Sequence, residues 1–335
     1  MQHPLVSILV PFKNTESYIG TCLKSILAQS YTNWELIIVD DHSNDSSYHI
    51  VNTFAKQDRR ITLLKNSGQG IIEALRTAFN VCNGTFITRM DSDDVMTKNK
   101  LNVLATNLLK HGKQHIALGL VHYFAEHGIK EGYKNYEIWL NNLTKTGANY
   151  TEIYKECVIP SPCWMVYKED FIACGAFTPN TYPEDYDLAF RFYKHQLKPI
   201  PCNDTIHEWR DYSSRTSRTD THYAENHFIP LKVNYFLELD YIKTKTLIVW
   251  GAGQKGKTIA KLLIEKNINF EWICDNPKKI GHNIYGKVLK PLSTLEHIKD
   301  TQSIITVANK TEQSNILNTL KVLEKTQLKD YVFFC

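Results

Sequence analysis

One repeated pattern narrows the fold more than any other feature. Short apolar runs at 5–10, 34–39, 61–64 and 85–90 alternate with segments whose apolar residues recur at helical spacing. Residues 16–28 carry Ile19, Leu23, Ile26 and Leu27 in that spacing, and 71–81 carry Leu75, Ala78 and Phe79. Strands alternating with helices of this length predict right-handed βαβ units and a parallel sheet. The runs are apolar throughout, as expected of strands covered by helices on both faces.

Beyond residue 95 the pattern loosens. It still predicts a strand within 114–124, a helical insertion at 134–156, a short strand at 164–167, a helix at 185–195 and helical content in 221–241. Then the opening pattern restarts. Strands are expected at 246–250, 270–274, 303–307 and 331–334, with helices at 254–266 and 311–325. The 335 residues suit two domains at ~150 residues each. A boundary near residue 242 gives a large domain, 1–242, and a small one, 243–335.

Composition excludes several classes. A net charge of +4 without a basic stripe argues against nucleic acid as a partner. No apolar run approaches the ~20 residues of a membrane helix, and the N-terminus lacks the charged head and apolar body of a signal peptide. The eight cysteines are scattered without a CxxC pair, which points to a reduced, cytoplasmic protein without a disulfide framework or structural zinc. Peripheral association with the inner face of a membrane stays open, as does the oligomeric state.

In open α/β sheets, ligands bind beyond the carboxyl ends of the strands. Two acidic groups fall there: Asp40-Asp41 after the second run, and Asp91-Ser92-Asp93-Asp94 after the fourth. A cap explains one carboxylate, and Asp93 or Asp94 could cap a helix beginning near Val95. It does not explain three, because each added charge raises the repulsion. A hard cation, Mn²⁺ or Mg²⁺, removes the difficulty by taking carboxylate and diphosphate oxygens together.

The opening V-S-I-L-V-P-F-K-N-T-E-S, the following W-E-L-I-I-V-D-D-H-S-N-D and the later M-D-S-D-D resemble the family 2 glycosyltransferases over roughly residues 5–220. The resemblance implies an α/β glycosyltransferase-A fold, a mixed sheet with a Rossmann-like half. It also implies transfer of a sugar from a nucleotide donor with inversion. On it, Pro11, Phe12, Asn14 and Glu16 match the first nucleotide-side loop. Asp41 matches the residue that recognises the base, usually uracil, whose imide N–H suits an acceptor carboxylate. Asp91 and Asp93 match the pair that touches the ribose and holds the metal on the diphosphate, Asp93 ahead of Asp91 for direct ligation. Arg76 and Arg89 stand where a diphosphate or neighbouring carboxylates could meet them, and a structural salt bridge is an equal reading.

Inverting transfer needs a carboxylate to take the acceptor proton and positive charge on the leaving diphosphate. The stretch G-A-F-T-P-N-T-Y-P-E-D at 175–185 resembles the family's segment before the catalytic base, which falls on Asp185. A helix N-terminus favours an ionised carboxylate. Glu184, Asp185 and Asp187 acting only as helix-start charges is the alternative, with Asp187 a substitute base. Downstream, Arg210, Arg215 and Arg218 are phosphate-clamp candidates, and Trp209-Arg210 loosely resembles the family's basic, Trp-containing segment. His207 is either a further metal ligand or a hydrogen-bonded structural histidine. The Gln-x-x-Arg-Trp form of processive polymerases is absent, so one sugar per encounter is expected. Trp139, Tyr150, Tyr154 and Trp164 either stack on acceptor sugars or fill the core.

In the second domain, L-I-V-W-G-A-G-Q-K-G-K places Gly251, Gly253 and Gly256 in a G-x-G-x-x-G between strand and helix, and Asp275 ends the next strand. This is the dinucleotide turn in its expected context, although the remaining chain has room for only one mononucleotide half. The segment C-D-N-P-K-K-I-G-H-N-I-Y-G-K-V resembles small Rossmann-like modules fused to sugar-modifying enzymes. That implies a nucleotide or nucleotide-sugar module with a regulatory or assembly role, or such a fold with an empty site. The leading expectation is a metal-dependent, inverting glycosyltransferase. It would move a sugar from a nucleoside-diphosphate sugar, a UDP-sugar, to a glycan or lipid-linked acceptor in surface polysaccharide synthesis. The competitors are a nicotinamide-dependent oxidoreductase acting through the glycine turn and a non-catalytic nucleotide-sugar sensor.

Overall fold

The computed structural model describes residues 3–213, 215 and 228–335. The chain forms two compact units, Met1–Asn149 with Val158–Arg218, and Tyr150–Cys157 with Thr219–Cys335. This differs from a single cut near residue 242. Residues 150–157 group with the C-terminal unit, where Tyr154 stacks on Phe334 at 5.5 Å and its hydroxyl donates to Asp240 at 2.5 Å.

The first unit is built on eight strands: β1 (Val6–Phe12), β2 (Trp34–Asp40), β3 (Ile61–Lys65), β4 (Phe86–Arg89), β5 (Val95–Met96), β6 (His115–Phe124), β7 (Trp164–Tyr167) and β8 (Lys198–Arg210). They form one mixed sheet in the order β3-β2-β1-β4-β7-β6-β8-β5. The first four are mutually parallel, as their apolar runs and intervening helices require. All seven residues of β1 are buried. Register pairs Phe12 with Asp40 and Leu9 with Arg89, so the carboxyl ends of β1, β2 and β4 lie side by side.

Helices cover the sheet: α1 (Ile19–Leu27), α2 (Ser47–Gln57), α3 (Ile71–Val81), α4 (Lys100–His111), α5 (Glu131–Thr146), α6 (Lys168–Ala173) and α7 (Glu184–Lys194). Two local outcomes shape the site. No helix begins at Val95. Val95 and Met96 form β5 and pair antiparallel with Glu208 and His207, and helix α4 starts only at Lys100. Neither Asp93 nor Asp94 is therefore a helix cap. The same pairing draws the end of β8 beside the acidic turn 91–94. The expected 134–156 insertion is α5, ended by Gly147 in the left-handed region (φ 67°), followed by a short 3₁₀ turn Asn149–Glu152.

The second unit carries a sheet of β9 (Thr246–Trp250), β10 (Glu271–Ile273), β11 (Asn283–Ile284), β12 (Lys287–Lys290), β13 (Thr301–Ile305) and β14 (Tyr331–Phe333), in the order β11-β12-β10-β9-β13-β14. All pairings are parallel except β11 with β12. With it are α8 (Ile229–Leu239), α9 (Gln254–Glu265) and α10 (Lys310–Val322). Ile248, Trp250, Ile273, Ile305 and Ile316 centre its core.

Candidate active site

The site in the first unit forms where β1, β2, β4 and β8 end and α7 begins. On the β1–β2 side, Pro11 and Phe12 are buried inside β1 and shape the strand end. Asn14 and Glu16 tie this loop to the next: Asn14 Oδ1 accepts from Asn44 N at 2.9 Å and Glu16 Oε2 from Ser46 N at 2.8 Å. The buried Asp41 takes Asn66 Nδ2 at 2.7 Å and Gly70 N at 3.0 Å on Oδ1, with Lys13 Nζ 3.8 Å from Oδ2. Its carboxylate thus closes the 66–70 loop into a small wall beside the strand ends.

The four residues Asp91-Ser92-Asp93-Asp94 make a tight turn in which Asp94 N donates to Asp91 O. The three carboxylates fare differently. Asp94 is fully buried and consumed by the protein. Its Oδ1 accepts from Arg210 N at 2.7 Å, and its Oδ2 meets His207 Nε2 at 3.0 Å and Arg215 Nη2 at 3.6 Å. Burial raises Asp94 to about 7 and holds His207 well below its ordinary value. Asp91 and Asp93 are half-buried. Asp91 Oδ1 accepts from Arg89 Nη2 at 3.1 Å, and Asp93 Oδ2 from the Tyr212 hydroxyl at 2.8 Å. Burial, then the neighbouring Asp94, pushes Asp93 up to about 6.

Opposite, α7 presents Glu184, Asp185 and Asp187 in its first turn. They also divide. Asp187 pairs with Arg191 Nε at 2.8 Å. Glu184 pairs with Arg89 Nη1 at 2.8 Å. Asp185 has no ion pair among the described residues. It accepts from Tyr186 N at 2.8 Å on Oδ1 and from the Ser161 hydroxyl at 3.2 Å on Oδ2. Burial, then the adjacent Glu184, raises Asp185 to about 7, against the pull of Arg89 and these hydrogen bonds. Arg89, almost wholly buried, therefore bridges the turn after β4 and the start of α7.

The arginines named from sequence separate. Arg76 lies on α3 and holds the loop before α7, donating to Phe177 O at 3.0 Å, Thr178 O at 2.9 Å and Asn180 Oδ1 at 2.7 Å, with Glu73 as its ion pair. It supports that loop instead of the strand ends. Arg210 Nε donates to Asp93 O at 2.8 Å, and Arg215 Nη1 to Arg210 O at 2.8 Å. Both contact the acidic turn, Arg210 at Asp93 and Arg215 at Asp94. Arg218 lies outside the described residues. Trp164 is a core aromatic between Phe171 and Phe192, Tyr154 belongs to the second unit, and Trp139 packs against Tyr136.

The chain matches the family model of glycosyl transferase family 2 over residues 7–175. The chain belongs to glycosyl transferase family 2. It is 31% identical over 218 residues to the UDP-Glc:alpha-D-GlcNAc-diphosphoundecaprenol beta-1,3-glucosyltransferase WfgD of Escherichia coli, covering 63% of this chain and 78% of that protein. It is 26% identical over 223 residues to the glycosyltransferase GlyG of Streptococcus pneumoniae serotype 4, covering 64% and 74%. Among solved structures it is similar to S. aureus TarS 1-349 in complex with UDP-GlcNAc, with TM-score 0.55, 17% identity, and coverage of 78% and 71%. It is also similar to the mannosyltransferase PcManGT of Pyrobaculum calidifontis in complex with GDP-Man and Mn²⁺, with TM-score 0.52, 18% identity, and coverage of 71% and 64%. The first unit has the glycosyltransferase-A fold, and the chain adds a second sheet at its C-terminal end.

For this family 2 glycosyltransferase, the donor set of the acidic turn fits a divalent cation of one kind. Among the described residues no three His, Cys, Asp or Glu side chains converge. The described residues therefore build no all-protein cage there. Asp91 Oδ2 and Asp93 Oδ1 take no protein hydrogen bond among the described residues, and two carboxylates completed by diphosphate oxygens suit Mn²⁺ or Mg²⁺. His207 does not join them, because Asp94 holds it. Asp94, Ser161, Tyr212 and Glu184 are the site residues that the motifs did not single out for a positive role. Glu184 stood next to the base, but the others needed the β5–β8 pairing and the 160–163 turn.

In the second unit, Gly251 makes the tight turn (φ 116°) and Gly256 lets the helix approach, since a Cβ there would lie 2.1 Å from Gly251 O. A Cβ on Gly253 would meet nothing within 4 Å. Asp275 Oδ2 lies 3.4 Å from Trp250 Nε1 at the end of the neighbouring strand.

Proposed function

We propose that this chain is a metal-dependent, inverting glycosyltransferase that uses a nucleoside-diphosphate sugar, a UDP-sugar, and a hydroxyl of a glycan or lipid-linked acceptor. The observation that carries this reading is the sorting of the carboxylates. In the acidic turn Asp94 is consumed by His207 and Arg215, and at the start of α7 Glu184 is consumed by Arg89 and Asp187 by Arg191. Asp91, Asp93 and Asp185 keep unused acceptor capacity. Asp185 takes the proton of the acceptor hydroxyl as its oxygen attacks the anomeric carbon from the face opposite the diphosphate. The anomeric carbon–oxygen bond to the diphosphate breaks, and the configuration inverts. Asp41, with the 66–70 loop, receives the base. Asp91 and Asp93 would hold a divalent cation that would neutralise the leaving diphosphate, and Arg210 and Arg215 contact the same turn. The uridine donor is supported by the UDP-Glc named for the E. coli relative and by the UDP-GlcNAc bound to TarS.

Asp185→Asn should lower transfer at least a thousandfold while leaving UDP affinity within about twofold. Transfer near the wild-type rate in that variant would remove the base from this reading. For the second unit we propose a nucleotide or nucleotide-sugar site at the glycine turn, supported by the open space at Gly253. Binding of NAD alone, with turnover coupled to its reduction, would favour the oxidoreductase reading instead.

A further inference from the structure

Lys100 is a lysine with no exposed surface, set in the first turn of α4. Burying an ammonium is costly unless it is compensated. Among the described residues no carboxylate lies within ion-pairing distance of it. Its Nζ donates to the Pro162 carbonyl and lies 4.0 Å from Met90 Sδ. Burial lowers its pKa, and Asp91 and Asp94 act on it only through their longer-range field. A buried lysine aimed at one backbone carbonyl needs a reason.

The carbonyl belongs to the turn 160–163, closed by Cys163 N donating to Pro160 O at 3.0 Å. Gly119 N also donates to Cys163 O at 3.3 Å, and Lys100 is the side chain that holds the Pro162 carbonyl. The turn holds Ser161, itself nearly buried, whose hydroxyl donates to Asp185 Oδ2. A continuous path runs from the Lys100 ammonium through the Pro162 carbonyl and Ser161 to Asp185. It joins the helix that follows the acidic turn to the carboxylate assigned as base.

We propose that Lys100 is a positioning residue for the transfer reaction, acting through the 160–163 turn to hold the Ser161 hydroxyl on Asp185. This rests on Asp185 being the base. Among the described residues the groups that act most strongly on that carboxylate are the Glu184 carboxylate, the Arg89 guanidinium, the Tyr186 N–H and the Ser161 hydroxyl. Ser161 alone is held from outside α7 and β4.

The test is a double-mutant cycle in the full chain, Lys100→Met, Ser161→Ala and the pair, read as kcat, KM for the donor and the pH profile of kcat. Each single variant should lose about tenfold to hundredfold in kcat with donor KM within about twofold, since a small misplacement of a reacting group costs this much. The Ser161 hydroxyl stabilises ionised Asp185, so both variants should move the acid limb of the profile to higher pH. The pair should be no worse than the poorer single variant. Multiplicative losses, or an unmoved acid limb in Ser161→Ala, would overturn the proposal. Should Lys100→Met fail to fold, Lys100→Gln keeps an N–H for the Pro162 carbonyl, and Ser161→Ala decides alone. Asp185→Asn separates the two failures. If it is inactive while Ser161→Ala behaves as wild type, only the role of Lys100 falls; if it is active, the base assignment falls.

Discussion

Asp94 and Asp93 are neighbours with opposite expected phenotypes. Asp94→Ala strips Arg210 N, His207 and Arg215 of their shared acceptor in a fully buried place. It should destabilise the fold by about 3–5 kcal/mol, read from denaturant unfolding. Asp93→Ala relieves repulsion and loses one hydrogen bond, from Tyr212, so its stability should change by less than about 1 kcal/mol. The same carboxylates set a pH dependence. Asp185 and Asp94 are raised to about 7 and Asp93 to about 6, so the folded state holds these protons more tightly than the unfolded chain. Such groups contribute stability at low pH that is lost as pH rises through the folded values. His207, held below its unfolded value of about 6.5, and the buried Lys232, lowered to about 8, oppose this in part and are outnumbered by the three carboxylates. Between about pH 8 and pH 6.5, therefore, the unfolding midpoint of the metal-free protein should rise as pH falls. A midpoint that falls over that window would show that the carboxylates are not desolvated as described.

At the scale of elements, the glycine turn of the second unit offers a clean contrast. Gly256→Ala drives a methyl group to within 2.1 Å of Gly251 O and should cost about 1–3 kcal/mol by thermal or denaturant unfolding. Gly253→Ala meets nothing within 4 Å at an ordinary φ of −79° and should leave stability unchanged. Equal effects at the two positions would mean that the turn is not packed in this way. Elements were legible where hydrophobic period and length agreed. Strands β1 to β4, helices α1 and α3, and the later β7, α7, β9 and α9 read directly from the sequence. Strand β8 did not, because Lys198-Pro-Ile-Pro-Cys-Asn-Asp has two prolines and few apolar residues. Its place comes from pairing with β6 over ten residues, not from local preference. Helix α4 was hidden behind the acidic turn, where Asp93 and Asp94 imitate a cap while β5 delays the helix to Lys100.

At the scale of the molecule, the sequence marked both acidic clusters but not which carboxylate in each is spent. That sorting is decided by residues far away in the chain: His207 and Arg215 for Asp94, and Arg89 for Glu184. The division into units was also hidden, since residues 150–157 join the C-terminal unit through Tyr154, whose partners are at 240 and 334. No helix among the described residues is long and apolar enough to cross a membrane. Calorimetric titration of the full chain with UDP, with and without Mn²⁺, in the wild type and in Asp93→Ala, bears most directly on the proposed chemistry. UDP should bind the wild type in a Mn²⁺-dependent way, and the variant should lose the Mn²⁺-dependent part while staying folded. UDP binding indifferent both to Mn²⁺ and to Asp93 would contradict the assignment of the acidic turn as the cation and diphosphate site.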